Sequence, residues 1–241
     1  MGASLPLKVA LGLTMVTSAI ELSFISVTVG YLANLGKLNI SVFLSPSQPI
    51  QVAGLPDKLS VNQGHTANGA AGTGLIIIGF AGIIALWLRG RPSYYNSSFT
   101  GLFSRTLYRL WLGLNLPALL LTLGALAYVF AVTNMHQGQS IDLSVVQSLR
   151  DASLKYPLLE WTPQGWLQAL LKLDLVTQSD RDAIEVHYKV SKGWQYNLIP
   201  LFLSQLAQTI LAMLDARTRR TERGTYVSAS EDKETTIFEA K

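Results

Sequence analysis

The sequence predicts an all-α membrane protein: a four-helix transmembrane bundle with a largely helical outer loop between spans three and four. Its 241 residues are 49% hydrophobic and only 14% charged, whereas soluble domains carry about 25% charged residues. The apolar residues form four long blocks, each able to cross a hydrocarbon layer of roughly 30 Å at about 1.5 Å per residue. The chain contains no cysteine, which excludes a disulfide-stapled secreted domain.

The first span is predicted at residues 9–33, after a short N-terminal segment at residues 1–8. It contains one charged residue, Glu21. A secretory signal is the alternative for an apolar block at this position, but the block continues well beyond the length of a signal core. The second span is predicted at residues 70–88, where small residues favour close packing between helices.

The third span is predicted at residues 107–133, and the fourth at residues 194–214. Asn115 and Pro117 indicate a local break in the backbone hydrogen bonds of span three, because proline has no N–H to donate. Residues 215–241 lack apolar periodicity, and we expect them to form a disordered tail.

Basic residues predict the orientation of the spans, since lysine and arginine are enriched in cytoplasmic loops. The connection at residues 89–106 is rich in arginine, and a second cluster follows span four: Arg217, Arg219, Arg220 and Arg223. Both termini are therefore predicted to be cytoplasmic, in the plasma membrane or an endomembrane. The second cluster either binds anionic lipid head groups of the bilayer or serves as a topology signal alone.

The first outer loop, residues 34–69, is rich in turn-forming residues and is predicted to contain a short strand pair at residues 41–44 and 50–52. Asn39, followed by Ile and Ser, matches the acceptor pattern for N-glycosylation. Because the loop is predicted to face away from the cytoplasm, Asn39 is a candidate for modification.

The second outer loop, residues 134–193, is predicted to contain three helices, at residues 144–155, 164–173 and 180–192. Thr162 and Pro163 are typical of an N-cap and a first helical position. Apolar residues of the middle helix and its approach, notably Trp161, Trp166 and Leu170, suit a surface that meets a partner or the membrane. The alternative is that they fill the core of the loop itself.

A polar cluster is predicted inside the membrane. Thr17, Ser18 and Glu21 share one face of span one, and Gln205 and Gln208 lie on one face of span four. The spans run in opposite directions, so we expect Glu21 and Gln205 to be neighbours. In the structural interpretation, which we favour, protonated Glu21 donates to Gln205 or Gln208. In the functional interpretation, Glu21 carries a proton or binds a ligand in a polar cavity.

Four spans with a large outer loop suggest tetraspanins or claudins, but the cysteine signatures of both families are absent. Two stretches carry a closer resemblance: Tyr156-Pro-Leu-Leu-Glu-Trp-Thr-Pro163 with Trp166, and Trp194-Gln-Tyr-Asn-Leu-Ile-Pro-Leu-Phe202. Through them the chain resembles uncharacterised integral membrane proteins of fungi. The resemblance implies a four-span protein with a helical outer loop, and it implies no activity or site residues.

Catalytic patterns are nearly absent from the sequence. It has no phosphate-binding loop and no Gly-x-Ser-x-Gly elbow, and no pattern predicts a cofactor. Its histidines lie too far apart to predict a metal site, and no basic motif predicts nucleic-acid binding. The first hypothesis is therefore a non-catalytic scaffold or accessory subunit, whose outer loop meets a membrane protein or a second copy of the chain. The alternative is a small membrane enzyme or carrier for a hydrophobic metabolite, with its site around Glu21.

Overall fold

The computed structural model of the chain describes residues 4–46, 48–95, 98–149 and 154–239, with side chains as far as residue 218. Its elements are α1 (Leu5–Leu35), β1 (Asn39–Ser45), β2 (Gln48–Ala53), α2 (Asn62–Gly72), a π-helical segment (Thr73–Phe80), α3 (Ala81–Arg89), a 3-10 turn (Pro92–Tyr95), α4 (Phe99–Met135), α5 (Leu143–Ser148), α6 (Pro163–Leu171) and α7 (Gln178–Glu239).

Four helical stretches in the described part of the chain are long and apolar enough to cross a membrane: Leu5–Leu35, Asn62–Arg89, Phe99–Met135 and Gln178–Thr218. This confirms the predicted four-helix bundle of a multi-pass membrane protein. The spans are longer than predicted, because each helix continues past its apolar block.

The bundle turns polar faces inward and apolar faces outward. In α1, which packs chiefly along α7, Thr14, Ser18 and Glu21 are buried, whereas Leu13 and Val16 are exposed. A membrane favours this arrangement because lipid tails solvate leucine and valine but provide no hydrogen bonds for threonine or glutamate. The predicted inward face of span one is confirmed.

The second span contains an irregular stretch, the π-helical segment, that the sequence does not predict. Within it, the carbonyl of Ile78 accepts a hydrogen bond from the indole Nε1 of Trp111 in α4, at 3.0 Å. Segments of π-helix are rare and alter the hydrogen-bond pattern of the backbone. Here the altered pattern coincides with a direct bond between spans two and three.

Two glycines allow the second span to approach its neighbours closely. A Cβ atom on Gly74 would lie 2.5 Å from Oγ of Ser18, and one on Gly82 would lie 2.7 Å from Nε1 of Trp111. Both distances are shorter than a normal contact, so a larger residue at either position would require Ser18 or Trp111 to move. The small residues of span two therefore serve packing within the bundle.

The local break predicted in span three does not end the helix, since α4 is one helix from Phe99 to Met135 with Pro117 inside it. The carboxamide of Asn115 donates to the carbonyl of Trp111 at 2.7 Å. This bond supports the helix next to Pro117, where a backbone donor is missing. The helix therefore continues through the proline.

The outer segments fold together into one unit, which we call the cap: β1, β2, α5, α6, the connecting residues 54–61 and 154–162, and the first turns of α7. The strands pair antiparallel from Asn39–Ala53 to Ser45–Gln48, so the predicted strand pair is confirmed. Thr162 caps α6 through a 3.0 Å bond from the amide of Gly165, and Pro163 is the first helical residue, as predicted.

Two predictions for the second outer loop need correction. The first helix, predicted at residues 144–155, is the shorter Leu143–Ser148, and residues 150–153 lie outside the described part. The helix predicted at residues 180–192 is not separate, because it continues into span four as α7. Gly193 lets α1 pack closely on this helix, since a Cβ atom there would lie 3.1 Å from the ring of Phe24.

The residues from Asp215 onward, which were predicted to form a disordered tail, continue α7 as helix to Glu239, and their side chains are described as far as residue 218. Because the chain crosses the bundle four times, the first span begins and the fourth ends on the side opposite the cap. There the amide of Ser4 donates to the carboxylate of Asp215 at 3.4 Å.

Candidate functional site

The polar cluster inside the bundle centres on Glu21, whose side chain has no exposed surface. Its Oε2 accepts a 2.9 Å hydrogen bond from Nδ2 of Asn197, which also donates to the carbonyl of Thr17 at 2.9 Å. The hydroxyls of Thr17 and Ser204 lie 3.1 Å apart. Spans one and four are thus joined by three hydrogen bonds at the middle of the bundle.

The predicted bond from Glu21 to Gln205 or Gln208 is not formed. Oε1 of Gln205 instead accepts from the hydroxyl of Thr122 in α4, at 2.6 Å, and Glu21 bonds to Asn197. The expected middle of span four rests on its apolar block alone. The helical span starts earlier, at Gln178 in the cap, so the middle of Gln178–Thr218 lies near Asn197, about two turns away from Gln205.

Several polar atoms in this cluster are buried without a hydrogen-bond partner in the protein. They belong to Ser18 (Oγ), Glu21 (Oε1), Gln205 (Nε2) and Gln208 (Oε1 and Nε2). A buried polar atom left unpaired costs about 1–3 kcal/mol. The cluster is therefore only partly satisfied by contacts between the helices.

Replacement of Glu21 by glutamine should leave the melting temperature of the protein in lipid nanodiscs unchanged or higher. Glutamine keeps an oxygen that accepts from Asn197, and its neutral amide costs less to bury than an ionisable carboxyl group. Glu21→Leu is the control, and its expected loss is about 1 kcal/mol because the interhelical hydrogen bond is removed. If Glu21→Gln lowers stability as much as Glu21→Leu does, the carboxyl group itself is required.

The three outer-loop residues proposed for a partner surface lie in the core of the cap. Trp161, Trp166 and Leu170 have no exposed surface, and the two indole rings meet edge to face at 5.1 Å. Nε1 of Trp166 donates to the carbonyl of Gly54 at 2.6 Å. Of the two interpretations of these residues, packing within the loop is the one that the structure supports.

A different part of the cap is exposed and apolar. Leu158 and Leu159 are 47% and 54% exposed, and they precede Trp161. Leu159 has φ of 65°, the only positive φ of a residue other than glycine in the described part. Leucine rarely adopts this conformation, and strained residues of this kind cluster at functional sites. No sequence pattern predicts this conformation, because φ at Leu159 depends on the surrounding fold.

At the opposite end of the bundle, Arg89 and Asp215 form an ion pair at 2.7 Å, with only 4% and 6% of their side chains exposed. Nη1 of Arg89 donates to the hydroxyl of Tyr108 at 2.6 Å, and the guanidinium lies 4.5 Å from the centre of that ring. From the sequence alone, Arg89 is only an orientation signal. One sequence feature does indicate the pair: Arg89 ends span two and Asp215 follows span four, so the two opposite charges lie on the same side of the membrane.

The remaining predicted residues lie apart from these clusters. Asn39 is exposed in β1, where its Nδ2 lies 3.4 Å from Oε1 of Gln51. Arg217 is exposed on α7, whereas the side chains of Arg219, Arg220 and Arg223 lie outside the described part. Within the residues that the structure describes, no group of histidine, aspartate and glutamate side chains is arranged to hold a metal ion.

No family model, curated protein or solved structure matches this chain. Its site residues are therefore interpreted from their geometry and chemistry.

Proposed function

We propose that this multi-pass membrane protein is a non-catalytic accessory subunit, and that its cap binds the extramembrane part of a partner protein. The observation that carries the proposal is the exposed pair Leu158 and Leu159 on a cap whose own core is closed. An apolar pair held in a strained backbone suits a contact that is preformed before the partner binds.

The backbone of the cap supports this role because its two outer segments are tied together. The amide of Phe43 in β1 donates to the carbonyl of Asp174 at 2.8 Å, and that of Val176 donates to Ser41 at 3.0 Å. The amide of Trp161 donates to Lys58 at 3.0 Å. A cap braced in this way loses little conformational entropy on binding, which favours affinity.

The test is recovery of the partner with the full chain, purified from its own membrane in mild detergent and quantified by native mass spectrometry. Leu158→Ser and Leu159→Gly should each lower the amount of bound partner about tenfold, as expected when an apolar contact residue is lost. Leu159→Gly should not lower the melting temperature, because glycine adopts positive φ without strain.

Leu38→Ser is the matched control, because Leu38 is another exposed leucine on the cap side, at 58%. It should retain the partner. The proposal is wrong if the partner stays bound to both variants, or if Leu38→Ser loses it to the same extent.

A carrier or membrane enzyme for a hydrophobic metabolite is the second candidate. It is favoured by the unpaired, buried Oε1 of Glu21 and Oγ of Ser18, two atoms that could bind a polar group of a ligand. The enclosure of Glu21 favours the accessory role instead. A small molecule that co-purifies with the protein and is lost in Glu21→Gln would reverse this ranking.

We also infer that the side of the bundle opposite the cap faces the cytoplasm of a fungal cell, in the plasma membrane or an endomembrane. The arginines at that side support the orientation, and the two resembling stretches support the source. Asn39 would then face away from the cytoplasm, where it can accept a glycan. A second copy of the chain is an alternative partner for the cap.

A further inference from the structure

A polar cavity of about 330 Å³ lies at the junction of the cap and the bundle. It is bounded by the end of α4, by the turn at Gly138, and by α6 and α7. Four glutamines contribute to its lining: Gln137, Gln164, Gln168 and Gln195. Its volume falls at the lower end of the range for small-molecule sites, about 300–1,000 Å³, which suits a ligand the size of one sugar ring.

Two buried groups in the lining have hydrogen-bonding capacity that the protein does not use. Gln164 is 4% exposed, and its Nε2 donates to the carbonyl of Ser191 at 2.9 Å, which fixes the orientation of the carboxamide. Its Oε1 has no partner in the protein, and neither has the hydroxyl of Thr133, which is equally buried. Together they offer an acceptor and a hydroxyl to a ligand.

The charged and aromatic residues of the lining restrict the class of ligand. Lys192 contributes a positive charge, and no carboxylate is among the described residues that line the cavity. Nδ1 of His136 lies 2.8 Å from the carbonyl of Val132. This bond makes Nδ1 the donor and leaves Nε2 for a ligand. Tyr188 and Tyr196 also line the cavity, and Nζ of Lys192 lies 5.5 Å from the centre of the Tyr188 ring. The lining therefore suits hydroxyl groups and one negative charge, and it disfavours a cation.

We propose that this cavity binds a hydroxyl-rich ring that carries one anionic group, the chemistry shared by sugar acids and phosphorylated polyols. Ligand hydroxyls bond to Oε1 of Gln164 and to the hydroxyl of Thr133, and the anionic group pairs with Lys192. Such a ring can be a free metabolite or the head group of a lipid.

The proposal is tested by calorimetric titration of the full chain in phosphatidylcholine nanodiscs with three matched probes: glucuronate, glucose and glucosamine. Glucuronate should bind tightest, and glucosamine weakest. Lys192→Met should weaken glucuronate binding about tenfold, because it removes the positive charge that pairs with the carboxylate, and it should change glucose binding little.

Two further variants separate binding from folding. Lys189→Met removes the same charge from an exposed site one turn away on α7, where Lys189 pairs with Glu185, and it should bind glucuronate as the parent does. Thr133→Val removes a hydroxyl that has no partner, so it should not lower the melting temperature while it weakens binding of all three probes.

The proposal is overturned if none of the probes binds, if glucosamine binds as tightly as glucuronate, or if Lys192→Met and Lys189→Met behave alike. Nanodiscs that contain phosphatidylinositol distinguish the two sources of ligand. Loss of glucuronate binding in them supports a lipid head group in the cavity, and unchanged binding supports a soluble ligand with the same chemistry.

Discussion

Arg89→Met should destabilise the protein by about 3–5 kcal/mol, the usual cost of removing one partner from a buried ion pair. The substitution leaves Asp215, which is only 6% exposed, without the guanidinium that lies 2.7 Å from its carboxylate. It also removes the donor to the hydroxyl of Tyr108. The effect is measured as the free energy of unfolding in mixed micelles, and we expect Asp215→Leu alone to be similarly harmful.

The double variant Arg89→Met/Asp215→Leu should recover much of this loss, because no unpaired charge then stays buried. Arg91→Met is the control, since Arg91 is exposed and lies 3.8 Å above the ring of Trp87. Its cost should stay near 1 kcal/mol or below. Equal effects of the two arginine variants, or a double variant as unstable as the sum of the single ones, would contradict a coupled buried pair.

Gly54→Ala should detach the cap from α1 at a cost of roughly 3 kcal/mol or more. A Cβ atom at this position would lie 2.0 Å from the carbonyl oxygen of Leu35 and 2.9 Å from that of Leu38. Both atoms are backbone, so a change of side-chain rotamer cannot relieve the clash. The same residue donates from its amide to Leu38 and accepts from Trp166, so both bonds are strained together.

Detachment is measured by tryptophan fluorescence and by limited proteolysis of the cap, which should become faster while the spans stay protected. Gly30→Ala is the control, because nothing lies within 4 Å of the Cβ atom at that position. Alanine is also the better helix former, so this variant should be neutral or more stable. Equal proteolysis of the two variants would show that the contact between Gly54 and α1 does not hold the cap.

Those features of the fold that depend on local pattern were predictable from the sequence. The apolar blocks located the spans, and the spacing of Ser18 and Glu21 identified the buried face of span one. Thr162 and Pro163 located the start of α6, because a cap is formed by residues adjacent in the chain. In each case the information lies within a few turns of the element itself.

Features that depend on contacts between distant residues were not predictable in this way. Helical period shows which face of a span is polar, but it does not fix how far one helix slides along another. The bond from Glu21 to Asn197, in place of Gln205, depends on that displacement. The pairing of Arg89 with Asp215 and the burial of Trp161 likewise require the assembled bundle and cap.

Helix α7 is a single rod that joins three regions of the protein. Ile184 lies in the cap core, Asn197 bonds to Glu21 in the middle of the bundle, and Asp215 pairs with Arg89 at the far end. Because α7 is one continuous helix, a movement of the cap is not absorbed by a flexible loop between the cap and the far end of the bundle. It either bends the rod near Pro200, where the backbone lacks a donor, or reaches the ion pair on the other side of the membrane.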